Sequence, residues 1–302
     1  MSEAGRVWAQ VENLLRPAEQ RVVLVAPFIK LDVFEAAVRT VPRTVTDITC
    51  VTRWSVAEVA AGVSDTEILE AAQRDGRVAV LLCHTLHAKL FLADDRCLVG
   101  SANLTGRATG RVPQPNLEIL VNVAASHPEV RHLLDRIQAM AIPATANIAA
   151  SIREQADLLR KDRPMIVTGE ADELPTRWYP TTRRPDRLYT AYRGRGDFSA
   201  AVREGIVYDL AHLDVAPGLD EPSFNEAVRL RLRSIQEIPG LLKDGILNSL
   251  ELQEVIADHT GMDNREAQRA TETIAAWLRY FDRFYTNVAS WELRPGRELR
   301  QP

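Results

Sequence analysis

The sequence predicts an α/β fold in its first half, a mixed sheet flanked by helices, followed by a mainly α-helical second half. Three observations predict it. Strand-sized apolar runs alternate with stretches of helical period between residues 6 and 140. Two of those runs, 87–93 and 96–100, are joined by Asp94-Asp95 as a hairpin. From Pro222 onward apolar residues recur at helical spacing with few strand signals.

Each element follows in order. Val7, Val11, Leu14 and Leu15 mark an opening amphipathic helix. Arg21 to Ala26 is a strand stopped by Pro27, and Leu31 to Val41 a helix that Asp32 caps. Val45 to Thr52 is the next strand, Asp65 to Gln73 a helix ended by Asp75-Gly76, and Val78 to Cys83 a further strand. His87 to Ala93 alternates with period two, so His87 and Lys89 share a face. Asn116 to Val123 reads as a strand and Ser126 to Met140 as a helix capped by Ser126. The pattern then changes near Pro143, which divides the chain into domains 1–145 and 146–302. In the second, only Gly205 to Leu210 is strand-like. Phe224 to Ile235, Leu241 to Leu247, Ser249 to His259 and Asn264 to about Val288 read as helical, within a helical region 222–288.

Composition narrows the function. A net charge of -4 excludes a uniformly anion-binding surface, so contact with nucleic acid must be local. No apolar run approaches the roughly 20 residues of a membrane span, and the N-terminus does not read as a signal peptide, so a cytoplasmic protein with no membrane partner is expected. Three cysteines inside strand-like runs, Cys50, Cys83 and Cys97, read as reduced core thiols. Neither His84 with His87 nor Cys83 with Cys97 has recognised zinc spacing, and no metal or other cofactor is expected.

The chemistry concentrates in one stretch: His87-x-Lys89, Asp94, then Gly100-Ser101-x-Asn103. It resembles the signature of the phospholipase D superfamily, matched residue by residue, with five residues between Asp94 and Gly100 where members commonly have six. Val25-Ala26-Pro27-Phe28, Leu104-Thr105 and Asn116-Leu117-Glu118 resemble the family's flanking text, so the likeness spans residues 20 to 140. It implies a phospholipase D-like catalytic domain at 1–145. His87 would be the nucleophile that becomes a phosphohistidine. Lys89 and the Asn103 amide would meet the non-bridging oxygens. Ser101 would donate a hydroxyl or orient the histidine, Gly100 would allow close backbone approach, and Glu118 would accept from the other ring nitrogen of His87. Asp94 completes the motif, although the altered spacing falls beside it.

The family builds its site from two such motifs, and this chain carries no second His-x-Lys pair. A homodimer in which two copies of His87 share one composite site is the economical solution. The reading that follows is a metal-independent nuclease cleaving DNA, in defence against foreign DNA, with other subunits of a defence system as further partners. Two alternatives stay open. One is a phospholipase or other phosphodiesterase on a lipid or small substrate; the other is a non-catalytic nucleic-acid-binding subunit of a larger complex.

The second domain offers two features. Arg177, Arg183, Arg184, Arg187, Arg193, Arg195 and Arg203 interleave with Trp178, Tyr179, Tyr189, Tyr192 and Phe198 in segment 177–203. The segment suits phosphate backbones and unstacked bases, with Arg183, Arg184 and Arg187 as substrate contacts, or else it is a solvated loop paired with the acidic run Glu170 to Glu173. The helices at 249–259 and 264–288, joined by Thr260-Gly261-Met262-Asp263, look like a helix-turn-helix, a form that either reads DNA or simply packs.

Overall fold

The structure is a computed structural model that describes residues 5–162, 178–235, 238, 242–243, 246–287 and 292–295. The chain forms two compact units, Met1–Gly169 and Glu170–Pro302.

The first unit runs α1 (Arg6–Leu15), β1 (Arg21–Val25), α2 (Leu31–Thr40), β2 (Asp47–Thr52), α3 (Val56–Ala60), α4 (Ile68–Asp75), β3 (Val78–Leu82), β4 (Leu90–Ala93), β5 (Arg96–Gly100), α5 (Gly106–Thr109), β6 (Leu120–Ala124), α6 (Pro128–Met140), β7 (Ile142–Pro143) and α7 (Ala146–Asp162). Its strands form one mixed sheet in the order β6-β5-β4-β1-β2-β3-β7. Strands β1, β2 and β3 are parallel, and the remaining pairings are antiparallel. Val22, Leu24 and Val25 are fully buried at the centre, which is why β1 reads as a continuous apolar run. The three cysteines are free and buried.

Several local expectations change. The cap of α2 is Asp65 and not Asp32: its carboxylate accepts from the Leu31 N–H at 2.8 Å and pairs with Lys30. Helix α6 starts at Pro128, whose fixed φ suits a first helical position, and His127, not Ser126, caps it by accepting from the Glu129 N–H. Residues His87 to Lys89 precede β4, and Asn116 to Ile119 precede β6. The boundary expected at 145 falls later, after 169. Helix α7 packs on α3, and Arg160 donates to the carbonyls of Val59 and Ala60 at 2.6 and 3.0 Å, which ties the helix to the first unit.

The second unit contains α8 (Leu188–Tyr192), α9 (Ala200–Leu213), α10 (Glu221–Arg233), β8 (Leu242–Lys243), β9 (Ile246–Asn248), α11 (Ser249–Thr260), α12 (Asn264–Phe281), β10 (Phe284–Asn287) and β11 (Glu292–Pro295). Residues 205–210, expected as a strand, lie inside α9, where Ile206, Leu210 and Leu213 recur at helical spacing and enter the core. Leu242–Lys243 pairs antiparallel with Ile246–Asn248 where a helix was expected, and α12 ends at Phe281 before Arg283 turns the chain at φ 54° into β10. The four short strands form a small sheet in the order β10-β11-β9-β8. Arg177, Val288 and the acidic run 170–173 lie outside the described residues. Asp209 is fully buried and accepts from Trp178 Nε1, the Thr181 N–H and the Thr182 N–H at 3.3, 2.9 and 2.7 Å. Burial pushes its pKa up to about 7 against those donors.

Asp94 sits in the β4–β5 turn with φ 56°, and its carboxylate accepts from the N–H groups of Glu19, Gln20 and Arg21 at 2.9, 2.9 and 3.0 Å. Partial burial works to raise its pKa, yet these donors and the nearby Arg96 hold it below the usual carboxylate value. We expect Asp94→Ala to lower the unfolding free energy by about 1–3 kcal/mol, as the loss of hydrogen bonds to a charged group does, while the folded fraction keeps its turnover. Denaturant titration with a specific-activity assay checks this. Because the folded carboxyl is the stronger acid, the wild-type advantage over Asp94→Ala should be full above pH about 4 and fade as acid protonates it.

Candidate active site

The carboxyl ends of the parallel strands β1 and β2 leave the sheet beside the start of β4 and the end of β5, since Val25 pairs with Leu90 and Leu90 with Val99. Every residue of the motif except Asp94 gathers at that edge. An edge where strands end and loops begin is where open α/β sheets place ligands.

His87 and Lys89 stand two residues apart in the extended approach to β4. His87 is exposed, whereas Lys89 is only 8% exposed. Among the described residues Lys89 takes part in no ion pair. The Gly100 N–H donates to the Lys89 carbonyl at 3.4 Å, joining the lysine to the end of β5. Asn103 is also buried, at 7% exposure. The next residue, Leu104, forms an isolated parallel bridge with Ile29, and its N–H donates to the Phe28 carbonyl at 3.1 Å. The Phe28 N–H in turn donates to Asn103 Oδ1 at 3.3 Å, which commits the carbonyl end of that amide and leaves Nδ2 as the donor.

Ser101 is the junction to β6. Its N–H donates to the Ile119 carbonyl at 3.0 Å, its Oγ accepts from the Ile119 N–H at 3.1 Å, and its hydroxyl donates to the Glu118 carboxylate. Asn116 Nδ2 donates to the other Glu118 oxygen at 3.3 Å. Glu118 therefore holds Ser101 and not the His87 ring as expected: both residues lie in the paired stretch at the end of β5, and the hydroxyl reaches the carboxylate first. The other displaced expectation is Asp94, which lies at the opposite edge beside Arg21, about 20 Å along the strand at 3.3 Å per residue.

Arg53 belongs to this edge and was not singled out from sequence. It follows β2, pairs with the buried Glu58, lies over the Phe28 ring at 5.5 Å and donates to the Leu86 carbonyl at 3.0 Å, directly before His87. Its position just past a strand's carboxyl end was the available signal.

The arginine segment behaves differently from its sequence promise. Trp178 is part of the second unit's core, and Tyr179, Tyr189, Tyr192 and Phe198 pack against it, so these rings are committed to packing. Arg184 makes a two-pronged bond to Asp186 at 2.9 and 2.8 Å, Arg187 lies 5.9 Å from the Phe198 ring, and Arg183 is exposed. Among the described residues no group of three or more His, Cys, Asp or Glu is placed to hold a metal ion, and no helix is long and apolar enough to cross a membrane.

Gly100 carries a sharp steric condition. A Cβ there would lie 1.9 Å from the Ile119 carbonyl oxygen and 2.8 Å from its carbon, both backbone atoms that cannot rotate away. Gly100→Ala should therefore push β6 from β5, cost about 1–3 kcal/mol as overpacking does, and lower turnover by breaking the Ser101 contacts. A wild-type unfolding midpoint and rate in that variant would refute the account.

No family model and no curated protein matches the chain. Solved structures do. NucT from Helicobacter pylori is 14% identical over 46% of this chain and 91% of its own, with a TM-score of 0.34. Nuc from Salmonella typhimurium, described as a phospholipase D family member, is 16% identical over 48% and 95%, with a TM-score of 0.35. Phosphatidylserine synthase from Haemophilus influenzae Rd KW20 is 15% identical over 54% and 42%, with a TM-score of 0.40. In this chain the His87-x-Lys89 and Gly100-Ser101-x-Asn103 residues gather where the strands of a mixed sheet end.

Proposed function

We propose that the chain is a metal-independent phosphodiesterase, a nuclease that cleaves DNA through a phosphohistidine formed on His87. The observation that carries this reading is Lys89: a residue only 8% exposed, two positions from the exposed His87, with no ion-pair partner among the described residues. A phosphodiester bound beside it would supply the counter-charge through a charge-assisted hydrogen bond. The exposed imidazole two residues away would attack phosphorus, breaking the bond to the leaving oxygen as the bond from His87 nitrogen forms. Lys89 and Asn103 Nδ2 would hold the equatorial oxygens, and Ser101, held by Glu118, would fix the turn that carries Asn103. Water would then take the phosphoryl group from histidine.

The leaving oxygen needs a proton, and the motif occurs once. The reading therefore includes a twofold dimer in which the second His87 is the general acid. The entry to edge strand β6 supports it: Leu117 and Ile119 before the strand and Val121 within it, exposed at 90, 62 and 49%, alternate along the stretch that also supplies Glu118. An apolar stripe at an unpaired sheet edge suits a second copy of itself. A role in defence against foreign DNA, alone or with other subunits, completes the proposal.

His87→Ala and Lys89→Ala should each lower turnover of DNA by about a thousandfold or more with unfolding unchanged, and wild-type activity should persist in EDTA. Near-wild-type rates in either variant, or loss in EDTA restored by magnesium, refute the chemistry. Coexpressing wild-type and His87→Asn chains in equal amounts should leave about one quarter of dimers active under random pairing; about half the activity would refute the shared site.

A further inference from the structure

The second unit contains an arrangement that the active site does not use. Helix α10 is followed by the short strands β8 and β9, helices α11 and α12, and then the antiparallel strands β10 and β11, with β11 lying between β10 and β9 in the sheet. A helix-turn-helix backed by strands β9, β10 and β11 in this order has the topology of a winged helix, with β8 added as a fourth strand beside β9. Its turn is three residues long: Gly261 closes α11 in the left-handed conformation, and Asp263 caps α12 in a reciprocal capping box with Glu266. Such a turn, short and containing glycine, is what the motif requires.

Helix α12 is sharply two-sided. Ala267, Thr271, Ile274, Trp277, Leu278 and Phe281 are buried. The opposite side exposes Arg265, Gln268, Arg269, Glu272 and Arg279, with Arg283 just past the end. Four arginines thus stand on one side against Glu272 and the capping Glu266. Among the described residues none of those four is in an ion pair, whereas Arg184, Arg229 and Arg233 of the same unit are all paired with carboxylates. Gln268 Nε2 is held by Glu272 at 3.0 Å, which orders the side chain beside Arg265 and Arg269. Arginine and glutamine on the first turns of the second helix are the residue types that meet guanine and adenine edges in a major groove, and unpaired arginines are the ones free to release counterions from phosphates.

We infer that the second unit is a duplex-DNA-binding domain with α12 as its recognition helix, and that Arg265 and Arg269 make its principal contacts. The arginine segment around Arg183 is then a packing element of that domain. The inference is independent of the His87 chemistry.

The test is binding of the full chain, in a His87→Ala background so that nothing is cleaved, to a fluorescein-labelled 30-bp DNA duplex across a salt series. Arg265→Ala/Arg269→Ala should weaken binding at least about tenfold at physiological salt and reduce the slope of log affinity against log salt by about two, near 0.9 for each lost phosphate contact. Arg265→Lys/Arg269→Lys should keep the slope, because the charges remain. Both sites are exposed, and unchanged thermal unfolding shows the variants fold. An unchanged slope in the alanine variant overturns the inference, as does equal loss in Arg183→Ala/Arg184→Ala/Arg187→Ala with none in the α12 variant. Preference for an RNA duplex, or no nucleic-acid binding at all, also overturns it, the latter marking α12 as a protein-binding face.

Discussion

At Gly100 the end of β5 and the approach to β6 come so close that no side chain can stand between them, and the site is organised around that contact. On one side the Gly100 N–H meets the carbonyl of Lys89; on the other Ser101 exchanges two bonds with Ile119. Three stretches from distant parts of the chain are thereby held to a common edge. The side chains that matter, Lys89, Ser101, Asn103 and Glu118, hang from backbone already fixed by its own hydrogen bonds, which is the form of preorganisation phosphoryl transfer needs.

The polar groups at that edge divide by whether their bonds are already used. Each oxygen of Glu118 already accepts a bond, one from Ser101 and one from Asn116, and the Asn103 carbonyl is engaged by Phe28. Arg53 is spent on Glu58 and Leu86. What remains unspent is the Lys89 ammonium, the Asn103 amino group and the His87 ring, and these are the groups a bound phosphodiester would complete.

Much of this was legible in the sequence, for physical reasons. His87-x-Lys89 and Gly100-Ser101-x-Asn103 declare themselves because a hairpin with a short turn must return its second strand beside its first. Asp94 declared itself equally and belongs elsewhere: spacing along a strand does not say which end of the sheet a residue serves. The Glu118 partner was misplaced because Ser101 and His87 are both near in sequence terms, and only the pairing of Gly100 with Leu120 decides between them. In the second unit, β-branched Ile206 and Val207 advertised a strand, but burial of Ile206, Leu210 and Leu213 on one face overrode that preference and made a helix. The tyrosines and Trp178 looked like a stacking platform because an aromatic's chemistry is the same in a core as on a surface.

The uncovered β6 edge has a further consequence, for how the protein must be made. Between Asn116 and Pro128 the only ionised side chain is Glu118, and the exposed apolar side chains of Leu117 and Ile119 flank it. Native proteins usually guard such an edge with lysine, proline or a bulge, and this one does not until Pro128. A newly made chain therefore carries a ready template for disordered strand addition until something orderly takes its place. Its yield should depend on how fast it finds that cover relative to other copies in the same state, which makes expression level and temperature, and not the stability of the core, the controlling variables.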